Sequence, residues 1–157
     1  MRVGLRDDAV IGAALAAAEI MAGMGYTGNH GSIHLLQLNT QTNTITAILH
    51  NLIAWQISLL DTRWVFHPKG GGTPDLTDGV GRGVQVKVTS DQHIKGNKVS
   101  AGEGYFVVVG YARSQFAVTI KWILAGLLSH GDWGRPQGTQ LAILSKEAKM
   151  RMRQLYP

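Results

Sequence analysis

The run Tyr105-Phe106-Val107-Val108-Val109-Gly110-Tyr111 is apolar almost without interruption and carries no charge. A strand with one wet face alternates apolar and polar residues, whereas a strand apolar at consecutive positions has to be covered on both faces. The rest of the chain must therefore supply a layer on each side of this strand. Its 157 residues are enough for one compact domain of that kind.

Helical periodicity precedes the run. Asp7 or Asp8 caps a predicted helix to about Met24, stopped by Gly25, with Ile11, Ala14, Leu15, Ala18 and Ala22 as its core stripe. Glu19 falls on or beside that stripe, an unusual place for a carboxylate. Between Tyr26 and Thr42, Gly28, Asn29 and Gly31 mark a loop, and Ser32 to Leu38 reads as a strand or a short helix. Asn43 or Thr44 opens a second helix to about Leu60. Its broad apolar face (Ile45, Leu49, Ile53, Ile57 and neighbours) suits burial against a sheet or a second subunit.

Strand patterns follow: Arg63 to His67, the strictly alternating Val84 to Thr89, Tyr105 to Tyr111, Phe116 to Leu124 with an extension to Leu128, and Gln140 to Leu144. Ser145 caps a last helix. The expectation is a single domain with a helical part over about 7–61, a sheet part over about 62–144 and a C-terminal helix over about 145–155. Its class is α/β: a central mixed sheet of about four to five strands flanked by helices.

Net charge is +5, and 13 of the 15 Lys and Arg residues lie from Arg63 onward. The basic half is the expected polyanion-facing surface. No cysteine is present, which excludes disulfides and thiolate metal sites and fits a cytoplasmic protein. No apolar stretch is long and charge-free enough for a membrane span, so no membrane partner is expected.

Chemistry concentrates around Thr73-Pro74-Asp75 and Gln85-Val86-Lys87. Alternation puts Gln85 and Lys87 on one face of a strand, about 7 Å apart along it. A turn bounded by Gly79, Gly81 and Gly83 leads back to Asp75. The carboxylate of Asp75, the amide oxygen of Gln85 and the carbonyl of Val86 form a hard-oxygen set of the type Mg²⁺ prefers, with Mn²⁺ as a substitute. Lys87 would then sit beside a scissile phosphate, orienting or deprotonating water or stabilising charge on phosphorus oxygens. Plainer readings stand beside this one: Pro-Asp is a common turn dipeptide, and a lysine among valines suits an edge strand.

Pro74-Asp75 followed by Gln85-Val86-Lys87 resembles the PD-(D/E)xK nuclease signature, with a helix before it and an apolar strand after it. The resemblance implies a restriction-endonuclease-like core, metal binding by Asp75 and Gln85, catalysis by Lys87, and a further metal-binding glutamate on the N-terminal helix, for which Glu19 is the candidate. It implies a Mg²⁺-dependent endodeoxyribonuclease acting on double-stranded DNA, first of all a small type II restriction enzyme working as a homodimer beside a cognate methyltransferase. A Holliday-junction resolvase or repair nuclease comes next. Gln85 departs from the signature by replacing an acid with a neutral amide, so a catalytically inactive DNA-binding module is the alternative from another class. A protein–protein interaction domain is a third. Glu19, Asp78 and Asp91 are the carboxylates that could supply the missing charge.

Lys69 and Arg82 flank the motif and are expected to hold the DNA backbone. Gln92, His93, Lys95, Asn97 and Lys98 follow the Gln85-Lys87 strand and are expected to reach phosphates or base edges. His30, His34, His50, His67 and His130 show no metal-ligand spacing and read as structural, with His67 the one to test because it lies just before the motif.

Overall fold

The computed structural model describes residues 4–38, 41–68, 73–97, 103–134 and 141–157; for Asn97 and Leu141 it describes the backbone alone. In chain order the elements are helix α1 (Asp7–Gly23), a hairpin of β1 (Gly25–Gly28) and β2 (Gly31–His34), a 3-10 turn (Leu35–Leu38), helix α2 (Thr42–Leu60), and strands β3 (Trp64–Phe66), β4 (Leu76–Asp78), β5 (Gly83–Thr89), β6 (Lys95–Asn97), β7 (Gly104–Arg113) and β8 (Val118–Leu128). A second 3-10 turn (His130–Asp132), β9 (Trp133–Gly134), β10 (Leu141–Leu144), helix α3 (Lys146–Arg151) and β11 (Arg153–Tyr156) complete it.

The fold is α/β. A six-stranded mixed sheet has the order β11-β8-β7-β5-β4-β3, with β5 and β7 parallel and every other pair antiparallel. Six strands replace the expected four to five: β4 and β11, at three and four residues, are too short to show a period, while β10, expected here, pairs instead with β6 and β9 in a separate three-stranded sheet. The last helix accordingly stops at Arg151 rather than about 155: from Met152 the chain is extended, and β11 pairs with β8. Ser145 caps α3 as expected, its Oγ accepting from the Ala148 N–H at 3.1 Å.

β7 is covered on both faces. Val107 and Val109 join Val84, Val86, Ile123 and Ala125 in a core under α1 and α2. Phe106 and Val108 join Leu124, Leu128, Trp133, Ala142, Leu144, Ala148 and Met152 in a second core on the opposite face. At Gly110 the chain admits no side chain, because an added Cβ would lie 2.1 Å from the Trp122 ring.

Helix α1 differs from the expectation in rotation. Its buried residues are Ala9, Val10, Ala13, Ala14, Ala17 and Met21, while Leu15 is 40% exposed and Glu19 is exposed. The helix starts after Arg6 without a side-chain cap, so Asp7 and Asp8 occupy its first turn, where their charge favours the positive end of the helix. Helix α1 packs on α2, β8 and β11; α2 packs on β5 and β3. Among the described residues no helix is long and apolar enough to cross a membrane.

Candidate active site

The hairpin of β3 and β4 delivers Asp75 to the sheet. The Asp75 carbonyl accepts from the His67 N–H at 2.9 Å, and the Pro74 ring rests on Gly83, where an added Cβ would lie 2.5 Å from the proline Cγ. β4 then pairs with β5 only through Leu76 with Val84 and Thr77 with Gly83. Beyond that pair the Asp75 carboxylate takes the place of a strand neighbour: its Oδ2 accepts from the Val86 N–H at 2.7 Å. In a strand the N–H and C=O of one residue point to the same side, so the Val86 carbonyl also faces this open edge.

Helix α2 closes the edge from above. Nε2 of His50 lies 3.3 Å from Asp75 Oδ2, and its Nδ1 lies 3.1 Å from Asn51 Oδ1. Burial works to lower the His50 pKa, but Asp75 and Asn51 outweigh it and hold the imidazole above its ordinary 6.5. One turn earlier, Thr46 Oγ1 meets the Tyr111 hydroxyl at 2.8 Å. Between α2 and β5 lies a cleft of ≈ 250 Å³, lined by Asn43, Thr46, His50, Val86 and Lys87 among others. A second cleft of ≈ 440 Å³ shares Asn43, Thr46 and Lys87 with it and reaches Thr89, Asp91, Ile94 and Lys95.

Lys87 is half-buried at this edge. Burial lowers its pKa, with the nearby charge of Asp75 acting in the opposite sense. A lysine so placed is a stronger candidate for exchanging a proton near neutral pH than an exposed one.

The structure brings Asp75, Val86 and Lys87 together and adds His50, which by sequence spacing alone reads as structural. A signal for it was present: Asn43, Thr46 and His50 form a polar row at helical spacing beside the apolar face of α2. Gln85 shares with Lys87 the face of β5 opposite Val84 and Val86, but it lines neither cleft, and its amide makes no hydrogen bond among the described residues. Glu19 does not point to the sheet; it lies on the solvent side of α1, away from the buried row that carries Ala14, Ala17 and Met21.

The other acids considered for the second charge are committed elsewhere. Asp78 Oδ1 accepts from the N–H groups of Val80 at 3.1 Å and Arg82 at 2.8 Å, and its Oδ2 pairs with the Arg82 guanidinium. Burial raises its pKa, yet these donors hold the carboxyl below the usual range. Arg82, expected at the DNA backbone, is thus tied into the β4–β5 turn. Asp91 caps its own turn by accepting from the N–H of Gln92 at 2.6 Å.

Lys95 is exposed at the far end of the second cleft. Gln92 and His93 are exposed too, but they line a different cleft, beneath α3. Asn97 has its backbone in β6, opposite Leu141. Lys69, Lys98 and the side chain of Asn97 lie outside the described residues. His67 Nε2 meets Thr77 Oγ1 at 2.6 Å, which braces the hairpin.

A divalent ion fits the edge in kind. Asp75 has a second carboxylate oxygen beyond the one held by Val86, and the Val86 carbonyl faces the same side, giving two hard oxygens beside a cleft that Val86 lines. The set is poor in charge: among the described residues no three His, Asp or Glu side chains converge. The chain matches no model of a known protein family, and comparison with curated proteins finds no match.

Proposed function

We propose that the protein is a metal-dependent DNA endonuclease with a restriction-endonuclease-like core, cleaving phosphodiesters at the open edge of β5. The observation that carries this reading is the capture of the Asp75 carboxylate by the Val86 N–H, one residue before Lys87. It puts a carboxylate beside the edge of β5, next to the cleft that His50, Val86 and Lys87 line, a combination suited to holding a metal ion and directing activated water at a phosphodiester. Asp75 and the Val86 carbonyl would hold a Mg²⁺ ion, with Gln85 as a neutral neighbour. Such an ion would supply charge for a phosphate oxygen and acidify water.

The chain's own groups do the rest. Lys87 lies in the field of Asp75 and offers its N–H donors to phosphate oxygens, or takes a proton from water when neutral. His50 fixes the rotation of the Asp75 carboxylate from the helix side. Thr46 and Asn43 present hydroxyl and amide groups to the substrate backbone. Incubation with supercoiled plasmid and Mg²⁺ tests the reading: cleavage that disappears in Asp75→Ala and Lys87→Ala is expected, and cleavage retained in either variant overturns it.

A homodimeric restriction enzyme cutting duplex at a short site is the first form of this proposal. The exposed Leu15, Trp55 and Leu59 on the helical face support a subunit contact there. An inactive DNA-binding module is the second reading, favoured by the neutral Gln85 and by the single carboxylate at the edge. Gel shifts without cleavage would select it.

A further inference from the structure

We propose that the cleft beneath α3 holds a single DNA strand that leaves the Asp75–Lys87 site across the turn at residues 90–94, so that the substrate carries a single-stranded segment beside the scissile phosphate. This deepens the nuclease reading in its junction- or repair-nuclease form rather than its duplex-cutting form, and rests on it for the direction of the strand.

The cleft encloses ≈ 1000 Å³ on the face of the sheet opposite α2. That is the upper end of the range of roughly 300–1,000 Å³ for small-molecule sites, so it has room for more than one nucleotide. Lys146 and Lys149 form one wall, and no carboxylate lines it. Neither lysine is in an ion pair among the described residues, whereas neighbouring Arg151 and Arg153 are paired with Asp132 and Asp7. Lys149 is also held in place: its Nζ is 4.6 Å from the centre of the Trp122 ring and 3.5 Å from the Gln92 carbonyl. Lys149 is fixed and Lys146 stands exposed one turn before it, and with no carboxylate lining the cleft their charge favours an anion.

The floor is apolar, formed by Leu124, Ile143 and Met152, and the amides of Gln92 and Gln154 stand at the rim. Unstacked bases present apolar faces and hydrogen-bonding edges to such a surface; a duplex keeps its bases inside and offers only phosphates. An acidic peptide would satisfy the lysines but has no reason to lead toward Lys87. A strand does, because Gln92 and His93 line this cleft while Ser90 and Asp91, directly before them, line the one containing Lys87 and Lys95. The turn at 90–94 is the ridge between them.

The test is fluorescence anisotropy of a labelled twelve-residue oligothymidine on the full chain in EDTA, with a duplex of equal length alongside. Lys146→Glu with Lys149→Ala is expected to weaken single-strand binding about tenfold and reduce the salt slope by about 1.4, with a much smaller loss for duplex. Lys146 is exposed, so Lys146→Glu alone gives a fold-neutral check and is expected to weaken binding in the same sense. Photo-crosslinking of an iodouracil oligonucleotide is expected to label peptide 143–154. Unchanged affinity in the double variant, an equal loss for duplex, or displacement by polyglutamate at matched charge would each overturn the proposal. Lysine-dependent single-strand binding without any Mg²⁺-dependent cleavage would uphold the strand cleft and sink the nuclease reading; cleavage with lysine-independent binding would do the reverse.

Discussion

His50 and Asp75 meet at 3.3 Å, joining the middle of α2 to the residue just before β4. Both imidazole nitrogens face oxygens, Nε2 toward Asp75 and Nδ1 toward Asn51. An imidazole with two acceptors is best satisfied with two protons. The contact therefore ties helix to sheet at the candidate site, and its strength depends on pH.

His50 should stabilise the fold at acid pH. Its folded pKa is raised above 6.5, so its contribution is complete below 6.5 and is lost as pH rises through the folded value. Urea midpoints of the wild type and His50→Gln, measured from pH 5.5 to 8.5, should differ most at the acid end and converge at the alkaline end. A difference that does not vary with pH would show that the imidazole acts by shape alone.

Asp75 has separable structural and chemical roles. Asp75→Ala leaves the buried Val86 N–H without its acceptor and should cost about 1–3 kcal/mol. Asp75→Asn keeps an acceptor and should cost less, yet both should abolish Mg²⁺-dependent cleavage. Denaturation midpoints and plasmid nicking, measured on the same preparations, distinguish the two roles; an active Asp75→Asn would remove the metal from the scheme.

For Lys87, whose pKa burial lowers, Lys87→Met keeps much of the apolar stem while removing the amine. Cleavage should fall roughly 10²- to 10⁴-fold, the usual worth of a proton-transfer group. The thermal midpoint should hold or rise, since a partly buried charge is gone. A loss of activity that merely tracks a loss of folded protein would count against a catalytic role.

Gln85→Glu restores the acid that the nuclease signature carries. Mn²⁺ affinity, followed by electron paramagnetic resonance, should rise several-fold if the residue 85 side chain turns to the ion on binding. Unchanged affinity would mean that residue 85 stands clear of the ion.

Gly83 is required by the Pro74 ring. Gly83→Ala forces a methyl to within 2.5 Å of Pro74 Cγ and should destabilise by about 1–3 kcal/mol while displacing Asp75. Gly79→Ala, in the same turn but with open space around it, should change stability by less than about 1 kcal/mol. Equal effects at the two positions would mean that the proline does not position the carboxylate.

The alternation at Val84 to Thr89 and the unbroken run at Tyr105 to Tyr111 specify which residues face which layer, because strand side chains alternate strictly. The start of α2 was legible to within two residues. The rotation of α1 was not: in an Ala-rich helix several neighbouring rows are nearly equally apolar, so a stripe through Leu15 and one through Val10, Ala14 and Ala17 look alike. Placing Glu19 at a metal followed from that ambiguity.

The sequence by itself determined a two-faced central strand, an alternating strand that carries Gln85 and Lys87, and a glycine-bounded turn leading back to Asp75, since each rests on spacing within a few residues. Only the tertiary structure decided that Asp75 is held by the Val86 N–H, that His50 rather than Glu19 approaches it, and that Gln92 and His93 face the cleft of α3. Those contacts depend on how helices rotate and slide over the sheet. That is settled by the packing of all layers together, and no local spacing encodes it.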